Sequence, residues 1–204
     1  MPTVGLELTS SDLQRAGVGA FFRPRDVVRL GLTHYQIQRM AAEGRVERVS
    51  PGLYRMADVE ATEMETIAMV ASAVPHAIVC LLSALRIHEI GTQSPHQVWL
   101  AIDRKARKPT RLPAKTDIVR FSGQMLTYGV VTQSMQGVRV RLTNPARTVV
   151  DCFRYRNKVG LDVAMEAVRD AVRSRKATVD EIDRAAEVCR IRTVIGPYLG
   201  ALSA

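Results

Sequence analysis

The sequence predicts an α+β fold, in which an N-terminal winged helix-turn-helix is followed by an α+β domain with a helical C-terminal part. Helix signals, a tight turn and a hairpin signal follow one another in the first quarter of the chain. Strand and helix patterns then mix, and the last third has the apolar spacing of amphipathic helices. We therefore assign residues 1–58 to a winged helix-turn-helix domain and residues 59–204 to the α+β domain.

The composition predicts a folded and strongly basic protein. The chain has 204 residues, 47% of them hydrophobic, and carries a net charge of +9 with a pI near 10.0. Clustered Lys and Arg side chains attract phosphate backbones and release counterions on contact. Nucleic acid is therefore the first partner to consider.

No membrane segment, signal peptide or metal site is expected. The apolar run 68–85 is divided by Pro75, and the N-terminus lacks a basic segment followed by an apolar one. Cys80, Cys152 and Cys189 form no CxxC pair and have no His at ligand spacing. We expect reduced thiols in a cytoplasmic protein without a cofactor.

Two helices are expected before residue 31. Ser11 and Gln14 have capping-box spacing in a first helix at 8–17. Pro24 opens a second helix at 24–30, because proline at a first helical position has no amide hydrogen to lose. The apolar side chains of this second helix are expected to face a core: Val27, Val28 and Leu30.

A third helix and a hairpin complete the predicted winged helix. Gly31 ends the second helix, and Thr33 is the N-cap of a helix at 34–43, which we call the recognition helix. One face of this helix has apolar spacing: Ile37, Met40 and Ala41. Two strands, at 45–49 and 53–56, then enclose Ser50-Pro51-Gly52.

The remaining elements follow from periodicity and caps. Thr62 and Glu65 form a capping box that opens a helix to about Val74, and Asn144 with Pro145 opens another helix. Helices are also expected at 81–88, from Leu161 to Val172, and after Thr178 with Glu181. Strands are expected at 77–80, 98–102, 117–121, 125–132 and 138–142, and an exposed basic loop at 104–115.

The polar face of the recognition helix is suited to reading bases in double-stranded DNA. Gln pairs with adenine edges and Arg with guanine edges, while hydroxyl groups bind phosphates. An ordinary amphipathic helix would show a similar face, but the capped turn, the hairpin and the net charge favour the DNA interpretation. The candidate DNA-binding residues are Arg25, Thr33, His34, Tyr35, Gln36, Gln38 and Arg39, with Arg48, Ser50 and Arg55 on the hairpin.

The basic loop allows two interpretations that the sequence leaves open. Its side chains could form a secondary contact with DNA or another polyanion, or the run could simply be solvated. The residues concerned are Arg104, Lys105, Arg107, Lys108 and Arg111.

Two other functional classes compete with DNA-binding regulation. Asp103-Arg104-Lys105 follows an apolar strand and resembles the D-x-K half of a metal-dependent nuclease site, for which Glu89 is the one nearby second acid. Nothing in the spacing singles out Glu89, so we assign no catalytic or metal-binding residue and expect no enzyme. A pure protein-interaction module would instead bind an acidic partner through the basic face.

Several runs carry a resemblance to a known family. In the N-terminal part these are Phe22-Arg23-Pro24-Arg25-Asp26-Val27, Leu30-Gly31-Leu32-Thr33, and Gly44-Arg45-Val46-Glu47-Arg48-Val49-Ser50-Pro51-Gly52-Leu53-Tyr54. In the distal part they are Ser83-Ala84-Leu85, Ile87-His88, and Leu142-Thr143-Asn144-Pro145-Ala146-Arg147-Thr148-Val149-Val150-Asp151. The chain resembles AbiEi-type antitoxins, the transcriptional regulators of type IV (abortive infection) toxin-antitoxin systems. Arg23 departs from the family pattern, which commonly has Thr or Ser as the N-cap there.

The resemblance implies a cytoplasmic repressor that binds an inverted repeat upstream of its own operon. It also implies a genetically paired nucleotidyltransferase-like toxin, which the distal domain counteracts without a tight complex. The family pattern offers no catalytic residue. A transcriptional regulator without antitoxin activity is the alternative within the same class.

Overall fold

The computed structural model describes residues 10–60 and 64–201 of the chain. The described N-terminal part contains three helices and three strands in the order helix, strand, helix, helix, strand, strand. The helices are α1 (Ser10–Arg15), α2 (Pro24–Val28) and α3 (His34–Ala42), and the strands are β1 (Phe21–Phe22), β2 (Val46–Ser50) and β3 (Leu53–Met56).

The three strands form an antiparallel sheet in the order β1-β3-β2. The helices pack on it around a small core, in which the rings of Phe22 and Tyr54 stack at 5.8 Å between centroids. Of the apolar residues near α2, Val27 is buried, whereas Val28 and Leu30 are 42% and 39% exposed. The expectation that all three face a core was wrong, because α2 makes little more than one turn and adjacent residues point about 100° apart.

The distal part begins with a helix and a five-stranded mixed sheet. Its first elements are α4 (Glu65–Ala73), β4 (Ile78–Val79), α5 (Leu81–Ile87), β5 (Val98–Asp103), β6 (Thr116–Phe121), a 3-10 turn (Gly123–Leu126), β7 (Val130–Met135) and β8 (Val138–Thr143). Helices follow: α6 (Pro145–Arg154), α7 (Arg156–Val159), α8 (Leu161–Arg173), α9 (Val179–Val188) and α10 (Arg192–Gly200).

Both faces of this second sheet are covered. The strand order is β6-β5-β4-β8-β7, with β4 parallel to β8, β5 parallel to β6, and the other pairs antiparallel. Alternate residues of β5 enter different hydrophobic clusters, because side chains alternate between the faces of a strand. Trp99 and Ala101 pack with α5, α6 and the C-terminal helices, whereas Leu100 and Ile102 pack with α4. The α+β fold class predicted from the sequence is confirmed.

The N-terminal and distal parts share a hydrophobic cluster. Phe21 and Leu53 of the first sheet pack in the same cluster as Ile67 and Val70 of α4. The backbones also meet at glycine 19, where a Cβ would lie 2.6 Å from the carbonyl carbon of Gly137, so this position has no room for a side chain. The boundary at 58/59 stays a prediction, and tight packing crosses it.

Some expected elements differ from the structure. The strand predicted at 125–132 was wrong at its start: Gly123–Leu126 is a 3-10 turn and the strand begins at Val130. The short strand β1 and the helices α7 and α10 were not predicted. The side chains of Ser11 and Gln14 and the whole of Thr62 lie outside the described residues, so the two capping boxes that use them are not described.

Candidate nucleic-acid interface

Gly31 and Leu32 determine the geometry of the turn between α2 and α3. Gly31 has φ +92°, a conformation that favours glycine, and its amide donates to the Val28 carbonyl at 3.0 Å. Leu32 is 3% exposed and anchors the turn in the small N-terminal core. The direction of the chain into α3 is therefore fixed by packing as well as by the backbone.

The first turn of α3 is closed by a reciprocal capping box. Thr33 Oγ1 accepts the Gln36 amide at 3.2 Å, and Gln36 Oε1 accepts the Thr33 amide at 2.7 Å. The Gln36 side chain is thus used to stabilise the helix, a role that the Thr-x-x-Gln spacing indicates and that the sequence analysis missed. We remove Gln36 from the residues proposed to reach bases.

The outer face of α3 presents a short row of polar and aromatic side chains. Ile37 and Met40 are buried, while His34, Tyr35, Gln38 and Arg39 lie on the exposed side. Tyr35 is 77% exposed, which is high for an aromatic ring, since such rings usually bury most of their surface. This face matches the predicted recognition surface in exposure and residue type.

A buried tyrosine orients Gln38. Gln38 Nε2 donates to Tyr54 Oη at 3.0 Å, and the Tyr54 ring is held by its stacking on Phe22. One amide hydrogen and the carbonyl oxygen of Gln38 then remain for a ligand, the pair of groups that binds N7 and N6 of adenine. No local sequence signal indicates this orientation, because Tyr54 lies on the hairpin, sixteen positions further along.

Arg39 is held by an acidic neighbour one turn later. Its Nε lies 2.6 Å from Glu43 Oε1, and Arg45 Nη1 lies 3.6 Å from the other carboxylate oxygen. The hydrogen bond from Arg39 lowers the pKa of the Glu43 carboxyl, so this group stays ionised. Glu43 would therefore compete with a base or phosphate for the Arg39 guanidinium.

The predicted wing residues fall into different environments. Arg48 is exposed and Ser50 half-buried, so both can reach a phosphate. Arg55 is engaged within the protein: its Nε is 2.6 Å from Glu65 Oε1, its side chain is only 17% exposed, and it also donates to the Val59 carbonyl. Because this ion pair joins the first sheet to α4, we do not include Arg55 among the proposed DNA contacts.

Other predicted contacts lie further out. Arg25 is 62% exposed and is 3.8 Å from the carboxylate of its neighbour Asp26. At the N-cap position of α2, the Arg23 amide donates to Asp26 Oδ2 at 2.8 Å, and the Arg23 guanidinium donates to the Ala73 carbonyl. The departure at Arg23 is therefore compensated by Asp26.

The basic loop adjoins the wing. Its backbone has no helix or strand between residues 104 and 115, and its five predicted cationic side chains are all exposed: Arg104, Lys105, Arg107, Lys108 and Arg111. Arg111 and Leu112 line a cleft of about 210 Å³ together with Pro51 and Gly52 of the β2–β3 turn. This proximity could not be predicted from the sequence, because it depends on the tertiary fold.

Asp103 and Glu89, the two acids considered for a nuclease site, each contact a lysine. Asp103 Oδ1 accepts the Lys105 amide at 2.8 Å, which shapes the start of the basic loop. Glu89 Oε2 lies 3.0 Å from Lys176 Nζ. Within residues 10–60 and 64–201, no group of three or more His, Cys, Asp or Glu residues is placed to hold a metal ion.

Arg147 and Asp151, in the distal run that resembles the family, are buried in the core. Arg147 is fully buried, with its Nε 2.9 Å from Asp151 Oδ1 and its Nη atoms bonded to the carbonyls of Tyr128 and Met125. Its guanidinium also lies 4.8 Å from the centre of the Phe121 ring. This cluster ties α6 to the segment between β6 and β7 and is closed to a macromolecular ligand.

The three cysteines are free and buried. Burial raises the pKa of all three thiols, to about 11 for Cys189. Such thiols stay protonated and are poor nucleophiles. None of the helices in the described ranges is long and apolar enough to cross a membrane.

Comparisons with known proteins relate the chain to a regulator family and to one solved fold. Residues 13–57 match the family described as "Transcriptional regulator, AbiEi antitoxin", which confirms the family resemblance over the winged helix. The crystal structure of the RV2827C protein from Mycobacterium tuberculosis is similar, with a TM-score of 0.57, 11% sequence identity, and coverage of 87% of this chain and 69% of that chain. At this identity the likeness shows the fold alone. A comparison with curated proteins gives no match.

Proposed function

We propose that this protein is a transcriptional repressor that binds an inverted repeat in double-stranded DNA upstream of its own operon. The observation that carries the proposal is the outer face of α3, where Tyr35 is exposed and Gln38 is held with an adenine-binding pair of groups free. The family match over residues 13–57 supports the same role. Such a repressor acts in the cytoplasm.

In this arrangement α3 lies in the major groove with its outer face towards the bases. Gln38 and Arg39 contact base edges, while Thr33, His34 and Tyr35 lie at the groove margin. Arg25, Arg48 and Ser50 contact phosphates from α2 and the wing. Two protomers on an inverted repeat would place two copies of α3 in successive major grooves on one side of the duplex.

The test is a binding titration with the full chain, because cutting after Ala57 would expose the cluster shared with α4. Fluorescence anisotropy compares the upstream duplex with a shuffled duplex of equal length at several salt concentrations. We expect Gln38→Ala to lose about 1 to 3 kcal/mol of sequence preference for each base contact removed. Gln133→Ala, an exposed glutamine on β7, is the matched control. Equal preference in wild type and Gln38→Ala would refute the recognition face.

A second variant separates orientation from contact. Tyr54→Phe keeps the Gln38 side chain but removes the hydroxyl that holds its amide. We expect a smaller loss of preference than in Gln38→Ala, because the carboxamide can still bind adenine after losing conformational freedom. A loss as large as that of Gln38→Ala would show that the orientation carries the contact.

We further propose that the protein counteracts a nucleotidyltransferase-like toxin encoded with it, without forming a tight complex. The support is the family match, whose description includes antitoxin activity. Co-expression with that toxin tests the proposal: wild type should restore growth, and co-purification should recover no stable complex. Restored growth with Gln38→Ala would assign neutralisation to a surface other than α3, whereas continued growth arrest with wild type would refute the antitoxin role.

A further inference from the structure

The wing of this protein offers few cations to DNA. The strands β2 and β3 are joined by the two residues Pro51 and Gly52, which leaves a short tip. Of the two arginines predicted to bind phosphates from the wing, Arg55 is committed to Glu65, and only Arg48 remains exposed. A hairpin of this size offers little to a DNA backbone beside the groove that α3 occupies.

The distal part places Arg111, near the end of the basic loop, beside the tip of this wing. Residues 109–112 form one wall of the cleft whose other walls include residues 50–53. Leu112 packs against the hydrophobic cluster that contains Leu53, so the loop and the wing rest on the same support. The end of the loop, residues 109–112, therefore adjoins the wing tip.

The start of the loop is held in place by specific hydrogen bonds. Arg120 Nη1 donates to the carbonyls of Asp103 and Ala106 at 2.9 and 2.6 Å. Asp103 Oδ1 accepts the Lys105 amide at 2.8 Å. With Leu112 packed at its other end, the loop is restrained on both sides, which reduces the ordering that binding would require.

The exposed surface of the loop is uniformly positive. No acidic residue occurs between Arg104 and Lys115, and the described residues form no ion pair with the five cationic side chains named above. Unpaired guanidinium and ammonium groups at a surface are the groups that bind phosphate oxygens. Their charge is complementary to DNA continuing past the wing.

We propose that the basic loop is a second wing, supplied by the distal domain, that binds the DNA phosphate backbone beside the β2–β3 turn. The inference rests on the proposed DNA-binding function and adds to it that the distal domain itself holds the operator duplex. Since these contacts are to phosphates, they strengthen binding to every sequence equally and do not add to base preference.

The test compares two triple variants of the full chain that remove the same charge. The loop variant is Arg107→Gln, Lys108→Gln and Arg111→Gln. The matched control is Lys158→Gln, Arg169→Gln and Arg184→Gln, which are exposed residues of α7, α8 and α9, on the side of the sheet opposite α4. The readout is the affinity for the upstream and shuffled duplexes as a function of salt concentration.

We expect the loop variant to lower the slope of log affinity against log salt by about 2 to 3, since each phosphate contact contributes about 0.9. Its affinities for both duplexes should fall together by about tenfold or more near physiological salt, with their ratio unchanged. The control should keep the wild-type slope.

Three outcomes would overturn the inference and are distinguishable. If the loop variant and the control have the wild-type slope while Gln38→Ala loses sequence preference, the loop does not bind DNA and the proposed function stands. If both triple variants lower the slope equally, the effect is one of net charge and the loop has no special position. If wild type binds neither duplex and is retained by an acidic protein instead, the proposed function fails together with the second wing.

Discussion

At the scale of single residues, the recognition face contains its own competitor for DNA. Arg39 is bonded to Glu43 at 2.6 Å, and Arg45 approaches the same carboxylate. The Glu43 side chain is 37% exposed and negatively charged, on the last turn of the helix proposed to enter the groove. It therefore withholds Arg39 and repels phosphates at the same time.

Glu43→Gln is expected to increase DNA affinity. Releasing an exposed, solvent-screened ion pair has a small effect, so we expect binding to tighten by about two- to fivefold. Anisotropy titration of the upstream duplex measures this change. Asp183→Asn, which removes the carboxylate 2.7 Å from Arg192 near the C-terminus, removes an equal charge and should leave affinity unchanged. Weaker binding by Glu43→Gln would mean that the ion pair positions Arg39 for its contact.

The buried pair Arg147 and Asp151 affects the stability of the fold and does not take part in recognition. Asp151 Oδ2 is buried with no hydrogen-bond partner in the described residues, and burial raises the pKa of this carboxyl to about 6 although Arg147 opposes the rise. Between the usual value of 3.8 and that value, the folded chain holds a proton that the unfolded chain has released. Stability from this group is therefore lost as pH rises through that interval.

Arg147→Met should unfold more readily at pH 8 than at pH 5. Without the opposing guanidinium the pKa of Asp151 rises further, so at pH 5 the variant keeps a neutral, tolerated carboxyl. At pH 8 the folded variant must either bury an unpaired charge or hold a proton that the unfolded chain releases, and both lower its stability. We expect a loss of about 3 to 5 kcal/mol at pH 8, measured by urea denaturation. In Arg147→Met/Asp151→Leu the extra pH dependence should vanish. If Arg147→Met is equally unstable at both pH values, protonation of Asp151 does not relieve it.

At the scale of elements, two helices share one capping device but differ in position. Thr33 and Gln36 close α3, and Thr178 and Glu181 close α9 with the same reciprocal bonds. Only α3 carries the proposed recognition face, whereas α9 packs in the C-terminal layer. The pair offers a comparison between equal losses of helix stability.

Thr33→Ala and Thr178→Ala should each cost about 1 kcal/mol of folding stability, because each loses one cap hydrogen bond. Thr33→Ala alone should also weaken DNA binding, since fraying of the first turn displaces His34 and Tyr35. Thermal denaturation and anisotropy on the same samples measure both effects. Equal DNA affinity in the two variants would show that the first turn of α3 lies outside the interface.

Local signals were sufficient for the helix-turn-helix and insufficient for the contacts around it. Thr33 marks the start of α3 and Gly44 marks its end. Both ends could be predicted from the sequence, because caps and helix-ending glycines act within a few residues. Gln38 could be placed on the outer face by periodicity, but its bond to Tyr54 depends on how the hairpin packs. Similarly, Arg55 was expected to be free, and its partner Glu65 is brought to it by α4.

The errors in the strands and the position of the basic loop also depend on tertiary contacts and local backbone conformation. The start of β7 was misplaced because Gly123 and Gly129 adopt positive φ, which converts an apolar stretch into a 3-10 turn and a bend before Val130. The strand β1 has two residues and no periodicity, and it exists through its pairing with Tyr54 and Arg55. The basic loop was identified by its charge, but its place beside Gly52 depends on the tertiary fold.

At the scale of the whole molecule, the winged helix and the distal domain are coupled through a common core. Leu53 of β3 is 2% exposed and shares its cluster with Val70 of α4 and with Leu100 of the central strand β5. On the opposite face of β5, Trp99 packs with the C-terminal helices. Packed side chains therefore connect the sheet of the winged helix to the distal sheet.

This coupling predicts cooperative unfolding of the full chain. Leu53→Ala should cost about 2 to 5 kcal/mol, as for other buried leucines. Trp99 is the single tryptophan and lies in the distal domain, so its fluorescence reports unfolding far from the substitution. We expect its transition and the hydrogen exchange of the α3 amides to report the same loss of free energy, as two-state unfolding requires.

Leu161→Ala, at a 43% exposed leucine of α8, should shift both by less than about 0.5 kcal/mol. An unchanged Trp99 transition with faster exchange in α3 would show instead that the winged helix unfolds independently, and the shared cluster would then contribute little to holding the basic loop beside the wing.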